Sequence, residues 1–340
     1  NTEYKVDYQK LLDNKEKDRD DARKNWKSIE NIKELKEGYL SAVVNEICNL
    51  VVKYDAVIVM ENLNRGFKNG RFKVEKQVYQ KFENMLINKL NYLVNKKLPH
   101  NTKGGLLNAY QLTNKAGKLD NTTQNGFIFY IPAYLTSKID PTTGFADLIH
   151  PRYKNKESSI EFFSKFDDIS YLKDDDMFSF SFNYDNFERS SISYKKEWTI
   201  YTNGKRINTF INPEKNYEWD NCEIVLTTEF KKLFDDYKID ITKDIKKQLL
   251  NQTEAEFFKR IIKLMELTLQ MRNSITDDTE TDYLISPVKN SEGKFYCSDD
   301  YKYDNSCLPS NADANGAYNI ARKGLWAIKK IVDASEEEYE

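Results

Sequence analysis

Any chemistry in this chain must rest on carboxylates. It holds two histidines, His100 and His150, and four cysteines at 48, 222, 297 and 307, with no CxxC pair. That leaves almost no room for histidine triads or His-rich metal centres, and neither a disulfide framework nor a zinc site is expected. Glu61 is the first candidate. It directly follows a five-residue apolar run, Ala56-Val57-Ile58-Val59-Met60, whose length and β-branched content suit a buried strand. Open α/β sheets place their sites at the carboxyl ends of strands, although a solvated junction residue would read the same way on this feature alone. Asp313 is the second. A first-turn or N-cap aspartate is the ordinary reading. Its spacing with Gly316, Ala317, Ile320 and Gly324, however, predicts that it shares the small-residue, core-facing side of a helix. An inward carboxylate needs a partner, and a divalent cation such as Mg²⁺ is the natural one.

Two cationic features stand beside these acids. Between Arg65 and Lys97 there are nine Lys or Arg against two acids, with Phe67, Phe72 and Tyr79 interleaved. A solvated helix face is the usual meaning of such a run. Its position just after Glu61 points instead to phosphate contact, with Arg65, Lys68, Arg71, Lys73 and Lys76 as the candidates. Arg272 closes a helical pattern over 254–272. There it either interacts with the last helix carbonyls, which sequence mechanics favour, or grips a phosphate bidentately.

The elements that must position these groups are read from periodicity. Residues 14–29 read as a helix that is polar nearly all round, with Trp26 its lone aromatic residue. From Ile32, apolar residues recur at helical spacing through Val51, and again from Val78 through Leu93. Strands are predicted at 126–131, 177–182 and 198–201, and helices at 228–238, 254–272 and from 313 to about 332. The 340 residues carry 39% hydrophobic and 31% charged side chains, 12 Gly and 7 Pro, at a net charge of −2. Disorder and a wholly basic nucleic-acid binder are thereby excluded, but a local basic groove is not. With no apolar run near eighteen residues and no leader-like N-terminus, a soluble cytoplasmic chain that does not enter a membrane is expected.

The ordered motifs carry a resemblance. Ala56-Val57-Ile58-Val59-Met60-Glu61-Asn62-Leu63-Asn64, followed by Arg71-Phe72-Lys73-Val74-Glu75-Lys76-Gln77-Val78-Tyr79, closely resembles the second RuvC motif of type V-A CRISPR effectors. These are the RNA-guided DNA endonucleases of the Cas-twelve-a, or Cpf-one, family. Asp313-Ala314-Asn315-Gly316-Ala317-Tyr318 is similar to that family's third RuvC motif. Gln270-Met271-Arg272-Asn273-Ser274 and Asp282-Tyr283-Leu284-Ile285-Ser286-Pro287-Val288 resemble its Nuc domain, and residues 14–40 its bridge helix with the segment after it.

The resemblance implies an α/β fold: an RNase H-like RuvC framework interrupted by an inserted α+β Nuc domain and preceded by a charged bridge helix. The implied segments are 1–29 for the bridge helix region, 30–131 for RuvC-II with its lid, 132–309 for Nuc and 310–340 for RuvC-III. It implies that Glu61 and Asp313 are catalytic carboxylates binding Mg²⁺ (or Mn²⁺), that Arg272 assists with Asp282 beside it, that 63–76 form a lid, and that Trp26 docks a recognition lobe. The implied activity is Mg²⁺-dependent phosphodiester hydrolysis of the target and displaced DNA strands, and of single-stranded DNA in trans once activated. A CRISPR RNA guide and target DNA are the implied partners, in a prokaryotic cytoplasm.

The family's first RuvC motif supplies a further aspartate upstream of the bridge helix, and nothing in residues 1–13 resembles it. The recognition lobe and the wedge and PAM-interacting domains also have no counterpart, so the chain alone is expected to be inactive without that N-terminal portion. The alternatives are a non-catalytic nucleic-acid-binding fragment or half of a split effector, and a transposon-encoded RuvC-like nuclease. The last would carry paired CxxC motifs between its second and third RuvC motifs.

Overall fold

The computed structural model describes residues 2–23, 30–62, 73–91, 93–94, 96–102, 105, 128–132, 134–189, 195–215, 217–275, 278–303 and 307–337. The chain divides into two compact units, Asn1–Ala133 with Lys323–Glu340, and Tyr134–Arg322.

The first unit begins with α1 (Thr2–Arg23) and α2 (Glu30–Tyr54). Helix α2 stops where Asp55 takes a left-handed conformation (φ 48°) and the Ala56 amide turns back to donate to the Val51 carbonyl at 3.1 Å. That turn consumes Ala56 and leaves Val57 exposed, so β1 runs Ile58–Asn62 rather than over 56–60. Glu61 is therefore a strand residue. β1 pairs in parallel with β2 (Ile128–Pro132), and α3 (Lys73–Asn91) lies between them in sequence. Pro132 lacks an amide proton and fits as the last residue of β2. Val44, Cys48 and Val51 of α2, Leu86 and Leu90 of α3, and Met60, Ile128 and Tyr130 of the strands form one buried cluster. Lys81 of α3 pairs with Glu37 of α2 at its edge.

The second unit mixes helices and sheets. Helix α4 (Lys156–Ser164) leads into an antiparallel sheet of β3 (Phe166–Leu172), β4 (Met177–Asn183) and β5 (Glu197–Tyr201). A hairpin comes next, β6 (Lys205–Asn212) with β7 (Glu218–Val225), then α5 (Leu226–Asp236), α6 (Ile245–Leu250) and α7 (Ala255–Leu269). The strands β8 (Arg272–Ile275), β9 (Asp278–Lys289) and β10 (Phe295–Cys297) pair in the order β10-β9-β8. The core is rich in phenylalanine: Phe178, Phe180 and Phe182 of β4 are fully buried against Phe230 and Phe234 of α5 and Phe166 of β3. Aromatic edge-to-face contacts of this kind add to the burial itself.

Helix α8 (Ala312–Glu337) contributes to both units, its first residues to the second and the remainder, from Lys323, to the first. Among the described residues no helix is long and apolar enough to cross a membrane. Within the first unit α8 approaches β1 so closely that a Cβ on Gly324 would run into the Val59 side chain. Gly324→Ala should therefore force α8 from β1 and cost about 1–3 kcal/mol. Urea unfolding measures the loss, and adding Val59→Ala should recover part of it.

Candidate active site

Glu61 is the penultimate residue of β1, opposite Ile131, so it sits at the carboxyl end of two parallel strands. It is half-buried. The strand end is pinned by Tyr79 of α3, whose hydroxyl donates to the Glu61 carbonyl at 3.1 Å. Burial first, then the charges of Glu83 and Glu61, push the Tyr79 phenol well above its ordinary range, so it stays a neutral donor. Tyr130 of β2 donates to Glu83 Oε1 at 2.6 Å and is raised by the same combination of burial and the Glu83 carboxylate. Two helix–strand hydrogen bonds thus hold α3 against the strand pair. Lys323 lies within the field of Glu61: burial pulls its ammonium down from the usual lysine range, and the Glu61 charge partly restores it.

Asp313 sits in the first turn of α8, where the helix dipole favours a negative charge. Asn311 supplies the cap, its Oδ1 accepting from the Ala314 amide at 2.8 Å. The expectation that Asp313 faces the core is corrected here, because the aspartate is exposed. The buried stripe lies one residue over, on Ala312, Asn315 and Asn319. Asn315 Nδ2 and Asn319 Nδ2 both donate to the Ile139 carbonyl at 3.0 Å, and Asn319 also reaches Asn315. Amides can fill those inward positions because a loop carbonyl satisfies them, which a carboxylate could not use.

Arg272 does not end a helix. α7 stops at Leu269, and Arg272 opens β8 opposite Leu284 of β9. The structure brings Arg272 together with Asp282: Nε lies 3.2 Å from Oδ1 and Nη2 3.3 Å from Oδ2, a two-pronged pair. Both side chains are partly exposed (40% and 31%), so the pair orients the guanidinium more than it stabilises the fold.

The strand start is fixed from beneath by residues whose role the sequence did not disclose. Asn273, fully buried, accepts from the Ile207 amide at 3.0 Å and from Gln270 Nε2 at 3.0 Å, and donates to the Met271 carbonyl. Gln270 also donates to the Ile207 carbonyl. Arg206, fully buried, donates through Nη1 to the Asn203 and Lys205 carbonyls at 2.9 Å and through Nη2 to the Thr268 carbonyl at 3.4 Å. Burial pulls its guanidinium down to about 10, which leaves it a cation at neutral pH. A helix C-terminus collects just such a charge. In the sequence Arg206 is one cation beside Lys205 in a stretch with no periodic signature.

Trp26, Arg65, Lys68 and Arg71 lie outside the described residues. Lys73 and Lys76 belong to the first turn of α3, with their side chains not described. Glu61 belongs to the first unit, and Asp313, Arg272 and Asp282 to the second. Among the described residues no group of three or more His, Cys, Asp or Glu forms a metal cluster. The donor chemistry at Glu61 and Asp313 is that of hard carboxylate oxygens, which fits Mg²⁺ or Mn²⁺ rather than a softer metal.

One candidate carboxylate, Glu61, thus lies at the carboxyl end of a parallel strand pair, and the other, Asp313, in the first turn of a helix. A family model described as the RuvC nuclease domain matches residues 1–340, and the chain belongs to that family. It is accordingly a nuclease of RNase H-like α/β fold whose substrate is nucleic acid, in a family that generally uses divalent metal ions.

Arg206→Met removes the donors from three carbonyls at once and should destabilise the second unit by about 2 kcal/mol or more, read by urea unfolding.

Proposed function

We propose that this chain is the nuclease lobe of a type V-A CRISPR effector, an RNA-guided DNA endonuclease. The observation that carries the reading is Glu61 at the carboxyl end of the β1–β2 parallel pair, in a chain of the RuvC family whose motifs keep the order of those effectors. On this reading 1–29 are the bridge helix region, 30–131 the RuvC-II segment with its lid, 132–309 the Nuc domain and 310–340 the RuvC-III segment. The first-motif aspartate, the recognition lobe and the wedge and PAM-interacting domains belong to the rest of the effector.

Glu61 and Asp313 would hold the divalent cation, Mg²⁺ in the cell with Mn²⁺ as a substitute. Such a cation lowers the pKa of an attacking water and neutralises charge on the scissile phosphate. The protein's own contribution is placement. The Tyr79 hydrogen bond and the parallel pairing fix the backbone that carries Glu61. The Asn311 cap and the two buried amides fix the turn that carries Asp313. Arg272, held by Asp282, offers its remaining N–H groups to a phosphate oxygen, and a guanidinium that need not reorganise stabilises developing charge most effectively. The basic run, with Arg65, Lys68, Arg71, Lys73 and Lys76, would track the strand's phosphates. Base pairing with the guide RNA would supply sequence specificity.

In the assembled effector with its guide, Glu61→Ala and Asp313→Ala should each lower Mg²⁺-dependent DNA cleavage by about 10³-fold or more while guided DNA binding stays nearly unchanged. Arg272→Ala should cost about 10²-fold in rate. Gel-based cleavage and filter-binding assays read both quantities. Full activity in the carboxylate variants would overturn the reading, as would robust nicking by residues 1–340 alone.

A further inference from the structure

The second unit holds a cavity of about 650 Å³ that includes neither the candidate-site carboxylates nor Arg272. Its floor is apolar, formed by Leu148, Ile149, Phe162 and Phe187. The two phenylalanine rings meet edge to face, 5.5 Å between centroids at 62°. Its rim is cationic, with a single acid, Glu161, in the lining. Glu161 is already spoken for by Lys165 at 3.0 Å, one helical turn away. His150 leans on Asp147 at 3.4 Å. That leaves Arg152, Lys154 and Arg189 as cations that no carboxylate of the described residues offsets.

This rim is built rather than frayed. Asp147 Oδ1 accepts from the Ile149 and His150 amides at 3.1 and 3.0 Å, and His150 turns the chain in a left-handed conformation (φ 45°). Asn155 and Ser158 form a reciprocal capping box that starts α4. Arg189 spans the walls, its Nε donating to the Leu148 carbonyl at 2.9 Å, while its terminal nitrogens meet no acceptor among the described residues. Pre-organised donors of this kind lose little freedom when an anion arrives.

An aromatic floor under uncompensated guanidinium and ammonium groups suits a flat, apolar group tethered to phosphate, and the volume suits one nucleotide. Such a combination is the usual way proteins take single strands, whose bases are free to stack, whereas a duplex offers only its phosphates. We propose that this cavity seats a nucleotide of single-stranded nucleic acid, with its base against Phe162 and Phe187 and its phosphates on Arg152, Lys154 and Arg189. Such a seat requires only that the substrate is nucleic acid. It depends on neither the metal site nor guide RNA.

The test is fluorescence anisotropy of the full 340-residue chain with labelled oligothymidylate in EDTA, where no metal-dependent cleavage occurs. Arg152→Gln combined with Lys154→Gln, both exposed, should weaken binding about tenfold near 0.1 M salt and make the log K against log salt slope shallower by about 1.4. Lys294→Gln, on the exposed β9–β10 turn, should leave binding unchanged, and unaltered urea midpoints would show that both proteins are folded. With a 5-bromodeoxyuridine strand, photo-crosslinks should map to peptides containing Phe162 or Phe187. Undiminished affinity in the double variant would overturn the proposal, as would crosslinks confined to other segments. So would displacement of the strand by thymidine monophosphate as effectively as by the unlabelled oligonucleotide, which would mark a free-nucleotide site. Because no cleavage is measured, these outcomes leave the reading of Glu61 and Asp313 untouched.

Discussion

The parallel pairing of β1 with β2 is the constraint on which the candidate site rests. Two five-residue strands, with α3 between them in sequence, align so that Glu61 stands opposite Ile131 at their carboxyl ends. A parallel pair cannot be closed by a tight turn, so it must be held from its faces. Here α2 and α3 cover it with aliphatic side chains, and the Tyr79 and Tyr130 hydroxyls tie α3 to it at two points. A one-residue slip would turn Glu61 to the other face and place Asn62 or Met60 in its position. The two phenol hydrogen bonds, one to the Glu61 carbonyl and one from Tyr130 to Glu83, oppose that slip.

In the second unit, buried polar side chains rather than ion pairs set the backbone where function would need it. Asn273 and Gln270 lace the start of β8 to β6, Arg206 gathers three carbonyls around its guanidinium, and Asn315 and Asn319 share the Ile139 carbonyl. Each such group would be costly unsatisfied, so each admits few alternative backbone paths. Charged pairs at the surface, such as Arg272 with Asp282, can then aim a side chain without carrying the fold. Precision at the surface comes from satisfaction of the interior.

A net charge of −2 over 340 residues conceals how the cations are distributed. Many lysines sit beside acids on the same surface, as at Lys165–Glu161, Lys259–Glu256 and Lys302–Asp299, and cancel locally. What a polyanion senses is the remainder left after that pairing. Arg152 and Lys154 belong to that remainder, although nothing in their sequence context sets them apart from the paired lysines nearby.

The sequence by itself determined the elements whose signal is local. The helical periodicity of α2, α3, α5 and α7 and the alternation of β4 are visible in their residues, because one buried face imposes a repeat. It also singled out Glu61 and Asp313 by type and position. Boundaries were less legible. β1 starts two residues late because the α2 terminus takes Ala56 into its turn, and Arg272 begins a strand because β9 lies opposite it. Tertiary structure alone decided which face of α8 is inside. Spacing pointed to Asp313 and the small residues, and Gly324 is indeed buried, yet in the first turns the buried positions went to Asn315 and Asn319, since their partner is a carbonyl some 176 residues away in sequence. Periodicity reports that a face is buried. Which residues may occupy it depends on what that face meets, and that partner is set by the fold.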